Sequence, residues 1–138
     1  MIAYVDSSVV SRVVMRQPNR LVGLETSTQR LTSLLTQLEC LQAIDKARLD
    51  EGLDQDEILA RRLVLFQQLR RMSKIAVARS VIDRAGSSFP LPVKTLDAIH
   101  LATALQLRER RYRELVFATH DRQQGRAAAA LGFEVIGL

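Results

Sequence analysis

Apolar residues recur along this chain in two rhythms, short unbroken runs and longer stripes at helical spacing, and their order predicts the elements. Ile2 to Val5 is short, apolar and partly β-branched, so it reads as a strand. It stops at Asp6-Ser7-Ser8, three good N-capping types ahead of a helical pattern. From Leu34 to about Leu49, the apolar residues Leu34, Leu35, Leu38, Leu41, Ala43 and Ile44 repeat at helical spacing without Gly or Pro, which predicts a second helix. Gly52 breaks the pattern, and a third helix is expected from Asp54 to Met72. Asp-Gln-Asp-Glu opens it, while Arg70 and Arg71 close it, matching the two ends of the helix dipole.

Ile75 to Ala78 reads as a short strand, and Ser80 to Ala85 as a brief helix ended by Gly86. The run Gly86-Ser87-Ser88-Phe89-Pro90-Leu91-Pro92 is a loop, after which Thr95 is expected to cap a long helix from Leu96 to about Arg111. Leu115 to Ala118 is expected as a core strand, Arg122 to Leu131 as a helix stopped by Gly132, and Phe133 to Ile136 as a last strand. Alternating strands and helices, with strands too apolar to own a wet face, predict an α/β fold: a largely parallel central sheet flanked by helices on both faces.

At 138 residues and 47% apolar content, one domain over 1–138 is expected. No span near 20 apolar residues and no leader pattern occurs, so a soluble, cytosolic protein without membrane contact is expected. Cys40 is the only cysteine; it excludes an intramolecular disulfide and a thiolate metal site, and reads as a small buried apolar residue. Twenty basic against fifteen acidic residues leave a formal charge of +5, which favours a polyanionic partner only weakly. Solvated helix faces remain the default for the clusters Arg61-Arg62, Arg70-Arg71 and Arg108 to Arg113, and the Arg-rich stretch Arg12 to Arg20 is merely suggestive.

Placement gives the carboxylates more meaning than number does. In an open parallel sheet, ligands bind beyond the carboxyl ends of strands. Asp6 directly follows the first strand, and Asp121 follows Leu115 to Ala118 in the run Ala118-Thr119-His120-Asp121. Each also serves as an ordinary helix N-cap, and either role accounts for it alone. Asp97 heads a stripe continued by Leu101 and Leu105, so its charge faces inward unless a first-turn dipole explains it. Glu39 lies mid-helix between Leu35 and Ala43, with no cap to account for it; a packed stem with a solvated carboxylate is the plain alternative. His100 is expected to pack or hydrogen-bond on its helix rather than to ligate a hard cation, and Ser7 and Ser8 have no evident base.

Taken together, Tyr4-Val5-Asp6-Ser7-Ser8, Leu34-Leu35-Thr36-Gln37-Leu38-Glu39-Cys40, Leu96-Asp97-Ala98-Ile99-His100-Leu101-Ala102-Thr103-Ala104, Ala118-Thr119-His120-Asp121-Arg122 and Leu131-Gly132-Phe133-Glu134-Val135 resemble the PIN domain, in particular VapC-like toxins of bacterial toxin-antitoxin pairs. The resemblance spans nearly the whole chain. It implies a PIN-type domain that hydrolyses RNA with Mg²⁺ or Mn²⁺ held by Asp6, Glu39, Asp97 and Asp121, with Thr119 and Ser7 in support. Asp121 then binds metal directly, acts through water, or shares its task with Thr119. The resemblance further implies a cognate antitoxin and a homodimer, beside the cytoplasmic location expected above. Two other readings stand beside it: a PIN-like RNA-binding module without catalysis, and a Mg²⁺-dependent receiver-like signalling domain. The latter needs a Lys after a late strand, where this chain has Thr119 and Asp121.

Overall fold

A computed structural model describes all 138 residues. Its elements in chain order are β1 (Ile2–Val5), α1 (Ser7–Val14), a 3-10 turn (Leu24–Thr26), β2 (Gln29–Ser33), α2 (Leu35–Glu51), α3 (Gln55–Arg70), β3 (Ser73–Ile75), α4 (Arg79–Ala85), α5 (Thr95–Arg110), β4 (Val116–Ala118), α6 (Arg122–Ala130) and β5 (Glu134–Ile136). The five strands form one sheet in the order β3-β2-β1-β4-β5, and every pairing is parallel. That order runs one way from β1 to β3 and then jumps to the other side of β1. Receiver-like domains have the order 2-1-3-4-5, so the topology removes that alternative.

The central strands β1 and β4 are buried on both faces, as a helix-covered parallel sheet requires. Ala3 and Val5 point into a core built with Val9, Val10 and Val14 of α1, Cys40 and Ile44 of α2, and Leu65 and Leu69 of α3. Tyr4 points the other way, joining Leu31, Phe117, Leu101 and Leu105 of α5, and Ala127 and Ala128 of α6. The Tyr4 and Phe117 rings stack at 5.3 Å. Burial pushes the Cys40 thiol up to about 12, helped by the charges of Glu39 and Asp6, so it is an inert core residue.

Most expected elements are present, with local corrections. The expected strand at Ile75 to Ala78 lies earlier, at Ser73–Ile75, because its ladder partners are Leu31 to Ser33. Thr95 is the first residue inside α5, and Lys94 occupies the cap position without a side-chain hydrogen bond. β2 has no counterpart among the expected elements: Gln29 and Arg30 open it, and Thr32 and Ser33 are two of its three buried residues. Its hydroxyls are satisfied internally; Thr32 Oγ1 donates to Val5 O at 2.6 Å and lies 2.7 Å from Thr36 Oγ1. No helix is long and apolar enough to cross a membrane.

Candidate metal and active site

The strand order reverses between β1 and β4, so the crevice beyond their carboxyl ends is where a parallel sheet offers a site. Tyr4 pairs with Phe117 and Val5 with Ala118, and the ladder continues through Asp6 N–H donating to Ala118 O at 2.9 Å. Asp6 and Thr119 therefore leave the sheet side by side. Both were expected at this edge, and Thr119 Oγ1 lies 3.2 Å from Asp6 Oδ2.

Asp6 serves as both cap and site residue. Its Oδ2 accepts the Ser8 N–H at 3.0 Å, capping α1, and also the Ser8 hydroxyl at 2.6 Å. Its Oδ1 accepts from Gln124 Nε2 at 3.2 Å. With only 3% of its surface exposed, this carboxylate is held by donors on α1 and α6. Asp121 likewise caps α6, accepting from Gln124 N–H at 2.9 Å. Asp121-Arg122-Gln123-Gln124 has the spacing of a capping box, in which Gln124 would reach back to the Asp121 backbone. Its side chain goes to the site instead: Thr119 Oγ1 stands 2.8 Å from Gln124 Oε1, while Gln124 Nε2 holds Asp6.

Glu39 reaches the same crevice from the middle of α2. Ser7 Oγ donates to its Oε2 at 3.1 Å, and His100 Nε2 lies 2.6 Å from its Oε1. Asp6 Oδ1 is 3.5 Å from the same imidazole nitrogen, so one buried ring bridges two acids. The Tyr4 hydroxyl sits 2.7 Å from His100 Nδ1. A carboxylate only accepts, so Nε2 carries a proton toward Glu39, and in the neutral ring Nδ1 accepts from Tyr4. Burial, then the charge of Asp6, holds the Tyr4 hydroxyl well above its usual range, so it keeps its proton. Burial disfavours the charged form of His100, but the Glu39 hydrogen bond and the charges of Asp6, Glu39 and Asp97 outweigh it, raising its pKa. His100 thus bonds across the fold, to α2 and β1, rather than along its own helix.

Asp97 differs from the other three acids. It lies half-buried in the first turn of α5, and its Oδ2 is buried without any hydrogen-bond partner. Burial pushes its carboxyl up to about 6, reinforced by the charges of Asp6 and Asp121 and opposed by His100 and Lys94. An orphaned buried oxygen among like charges fits a cation, and the donors are all hard oxygens, the set preferred by Mg²⁺ and Mn²⁺. The groups do not form a closed coordination shell: no three acidic, imidazole or thiol groups are gathered at ligating distance of one point. Hydroxyl, amide and imidazole donors hold Asp6 and Glu39 in place while their charges remain apart.

The expected residues Asp6, Glu39, Asp97, Asp121, Thr119 and Ser7 therefore face one crevice or its immediate support. Tyr4, Ser8 and Gln124, and the cross-fold role of His100, were not anticipated. One signal was available: His100 follows Asp97 by three residues, which places both on one face of a helix.

The PIN domain family model matches residues 3–130. Ribonuclease VapC46 of Mycobacterium tuberculosis (strain ATCC 25618 / H37Rv) is 34% identical over 136 residues, covering 96% of this chain and 95% of that protein. Three solved structures, each 18% identical, share the fold. A toxin-antitoxin complex from Klebsiella pneumoniae has a TM-score of 0.67 over 97% of this chain and 95% of its own. FitAB bound to an IR36 DNA fragment has 0.60 over 99% and 94%, and PAE2754 from Pyrobaculum aerophilum has 0.58 over 98% and 83%.

Proposed function

This chain belongs to the PIN domain family, and from that membership we infer that residues 1–138 act as one endoribonuclease unit, the toxin of a toxin-antitoxin pair. A relative named as a ribonuclease, alike over nearly its full length, supports the activity, and the shared fold of a chain in a toxin-antitoxin complex fits the role. The observation that carries the reading is the buried, unpartnered Oδ2 of Asp97, whose proton affinity is raised by burial first and then by the charges of Asp6 and Asp121.

Asp6, Glu39 and Asp97 would hold Mg²⁺ or Mn²⁺, and Asp121 would join them directly or through water. A divalent cation there supplies an acidified water and charge stabilisation at the phosphoryl group. The chain's own residues fix the rest. Ser8 and Gln124 orient Asp6, and Ser7 and His100 orient Glu39. Ser7 and Ser8 use their hydroxyl protons to hold Glu39 and Asp6, and the nucleophile in this reading is a water. Thr119 accepts the Asp121 N–H at 3.0 Å, so the start of α6 moves with the β4 end of the crevice.

A cognate antitoxin and a second copy of the chain are the partners in this reading, and the cytoplasm, where RNA is available, is its location. Leu38, Leu59, Leu63 and Phe66 on α2 and α3 leave apolar surface that suits protein partners. Incubating pure protein with structured RNA, with and without Mn²⁺ or Mg²⁺, tests the activity. Cleavage should require the cation and vanish in Asp6→Asn and Asp97→Asn. Cleavage that survives chelation, or equal cleavage by the variants, overturns the mechanism.

A further inference from the structure

The carboxylates occupy the edge where strands end; at the opposite edge, where strands begin, positive charge collects instead. A cavity of about 770 Å³ opens there between the end of α1, the segment that follows it, the start of β2 and the end of α3. Arg16, Arg20, Arg30 and Arg71 line it. None of these four guanidinium groups makes an ion pair, whereas Arg48 pairs with Asp45 and Arg84 with Glu109. Arg108 donates to Leu131 O and covers the Phe133 ring. The arginines of the cavity thus spend no charge on an ion pair within the chain. Glu25 is the single acid on the wall, and its carboxylate already accepts the Gly23 N–H.

The backbone adds donors to the same wall. Arg16 and Asn19 adopt left-handed conformations, with φ of 56° and 57°. The N–H groups of Asn19, Arg20, Leu21 and Val22 have no backbone acceptor. Consecutive free N–H groups beside left-handed residues are a recurrent anion-binding arrangement. A guanidinium fork matches two phosphate oxygens at once, and four forks facing one opposing acid suit a ligand that brings several phosphates.

We propose that this cavity is a second site for the RNA backbone, holding substrate phosphates several nucleotides away from the bond that is cut. The identity of the anion rests on the ribonuclease reading; the basic site itself does not. α1 connects the two edges, with Asp6 at its N-cap and Arg16 just past its C-cap, Met15. Its eight residues span about 12 Å, roughly four nucleotide rises along a strand at about 3.4 Å each. An RNA longer than a few nucleotides can therefore engage both edges, and a shorter one cannot.

The test is fluorescence anisotropy of labelled single-stranded RNA on metal-free protein across a range of salt concentrations. It compares wild type with Arg16→Gln/Arg20→Gln and with Arg30→Gln/Arg71→Gln. Each double variant should bind long RNA more weakly and flatten the logarithmic salt slope by about 1.4, since each lost phosphate contact on a single strand removes about 0.7. On long substrates KM should rise with kcat unchanged, while an RNA too short to reach the cavity should show no change. Arg30→Lys, which keeps the charge and the stem, should fold as wild type and bind with intermediate strength. Unchanged slopes and unchanged KM in both double variants overturn the proposal. So does tripolyphosphate that binds in an arginine-dependent way while RNA slopes stay the same, which would assign the cavity to a small polyphosphate. Flattened slopes without any RNA cleavage by wild type would defeat the ribonuclease reading and leave the RNA site standing.

Discussion

Asp97 is the residue where function and stability pull in opposite directions. Its carboxyl titrates near 3.8 in an unfolded chain and at about 6 in the fold. An acid whose pKa is raised keeps its proton longer in the native state, so stability falls as pH climbs through that window and stays lower above it. For a sequestered group the shift would correspond to about 3 kcal/mol; half-exposure and screening reduce this to about 1 kcal/mol. Asp97→Asn should therefore stabilise the metal-free fold by about 1 kcal/mol in urea at neutral pH, with the gain vanishing near pH 4. Equal stability at neutral pH would show that the carboxylate is not strained. The Tyr4, His100 and Glu39 chain makes a separate claim, because partners that orient a ligand typically change metal affinity by about 10- to 100-fold. Calorimetric Mn²⁺ binding should weaken about tenfold in Tyr4→Phe and toward about 100-fold in His100→Leu; unchanged affinity would make the chain mere core packing. Asp6 and Asp121 were legible in the sequence because strand ends are legible. The Tyr4 hydroxyl and the Gln124 amide were not, since one hides in an apolar strand and the other imitates a capping box.

At the scale of elements, the site depends on where short strands stop, and those stops are fixed by contacts far away in sequence. β5 shows this. Its end passes so close to β4 that a Cβ on Gly137 would stand 2.5 Å from Thr119 O, and Gly137 has φ +102°. Gly137 O also receives His120 Nδ1–H at 2.7 Å. Gly137→Ala thus combines backbone strain with a collision against a carbonyl that cannot swing aside. The expected loss is about 2 kcal/mol of stability, measured by denaturant unfolding. Cleavage should fall further than stability alone predicts, because Thr119 and the start of α6 must shift; a neutral outcome on both counts would mean that the tail is loosely attached. The helices and the strands β1, β4 and β5 were readable from periodicity and glycine stops, whereas β3 lies two residues earlier than its apolar run. β2 was not, because a strand buried by hydroxyl-to-backbone bonds such as Thr32 to Val5 carries no apolar signature.

Across the whole molecule, the clustered acids Asp6, Glu39, Asp97 and Asp121 sit beyond the ends of β1 and β4, and a group of unpaired arginines sits where β2 begins. The acidic edge holds negative charge that the fold must restrain with Ser7, Ser8, Gln124 and His100. A ligand that neutralises this edge and binds only the native state adds its full linkage energy to stability. At Mn²⁺ about 100-fold above its dissociation constant, that term is about 2.7 kcal/mol. For a chain of 138 residues the unfolding entropy is about 0.29 kcal/mol per kelvin, so Tm should rise by about 9 °C and return on chelation. In Asp6→Asn and Asp97→Asn the rise should shrink in proportion to lost affinity, even though the latter starts from a more stable fold. The opposite ordering of basal stability and cation response in Asp97→Asn is the signature that separates a metal site from an ordinary buried acid. A uniform Tm increase in wild type and both variants would place the cation elsewhere on the surface.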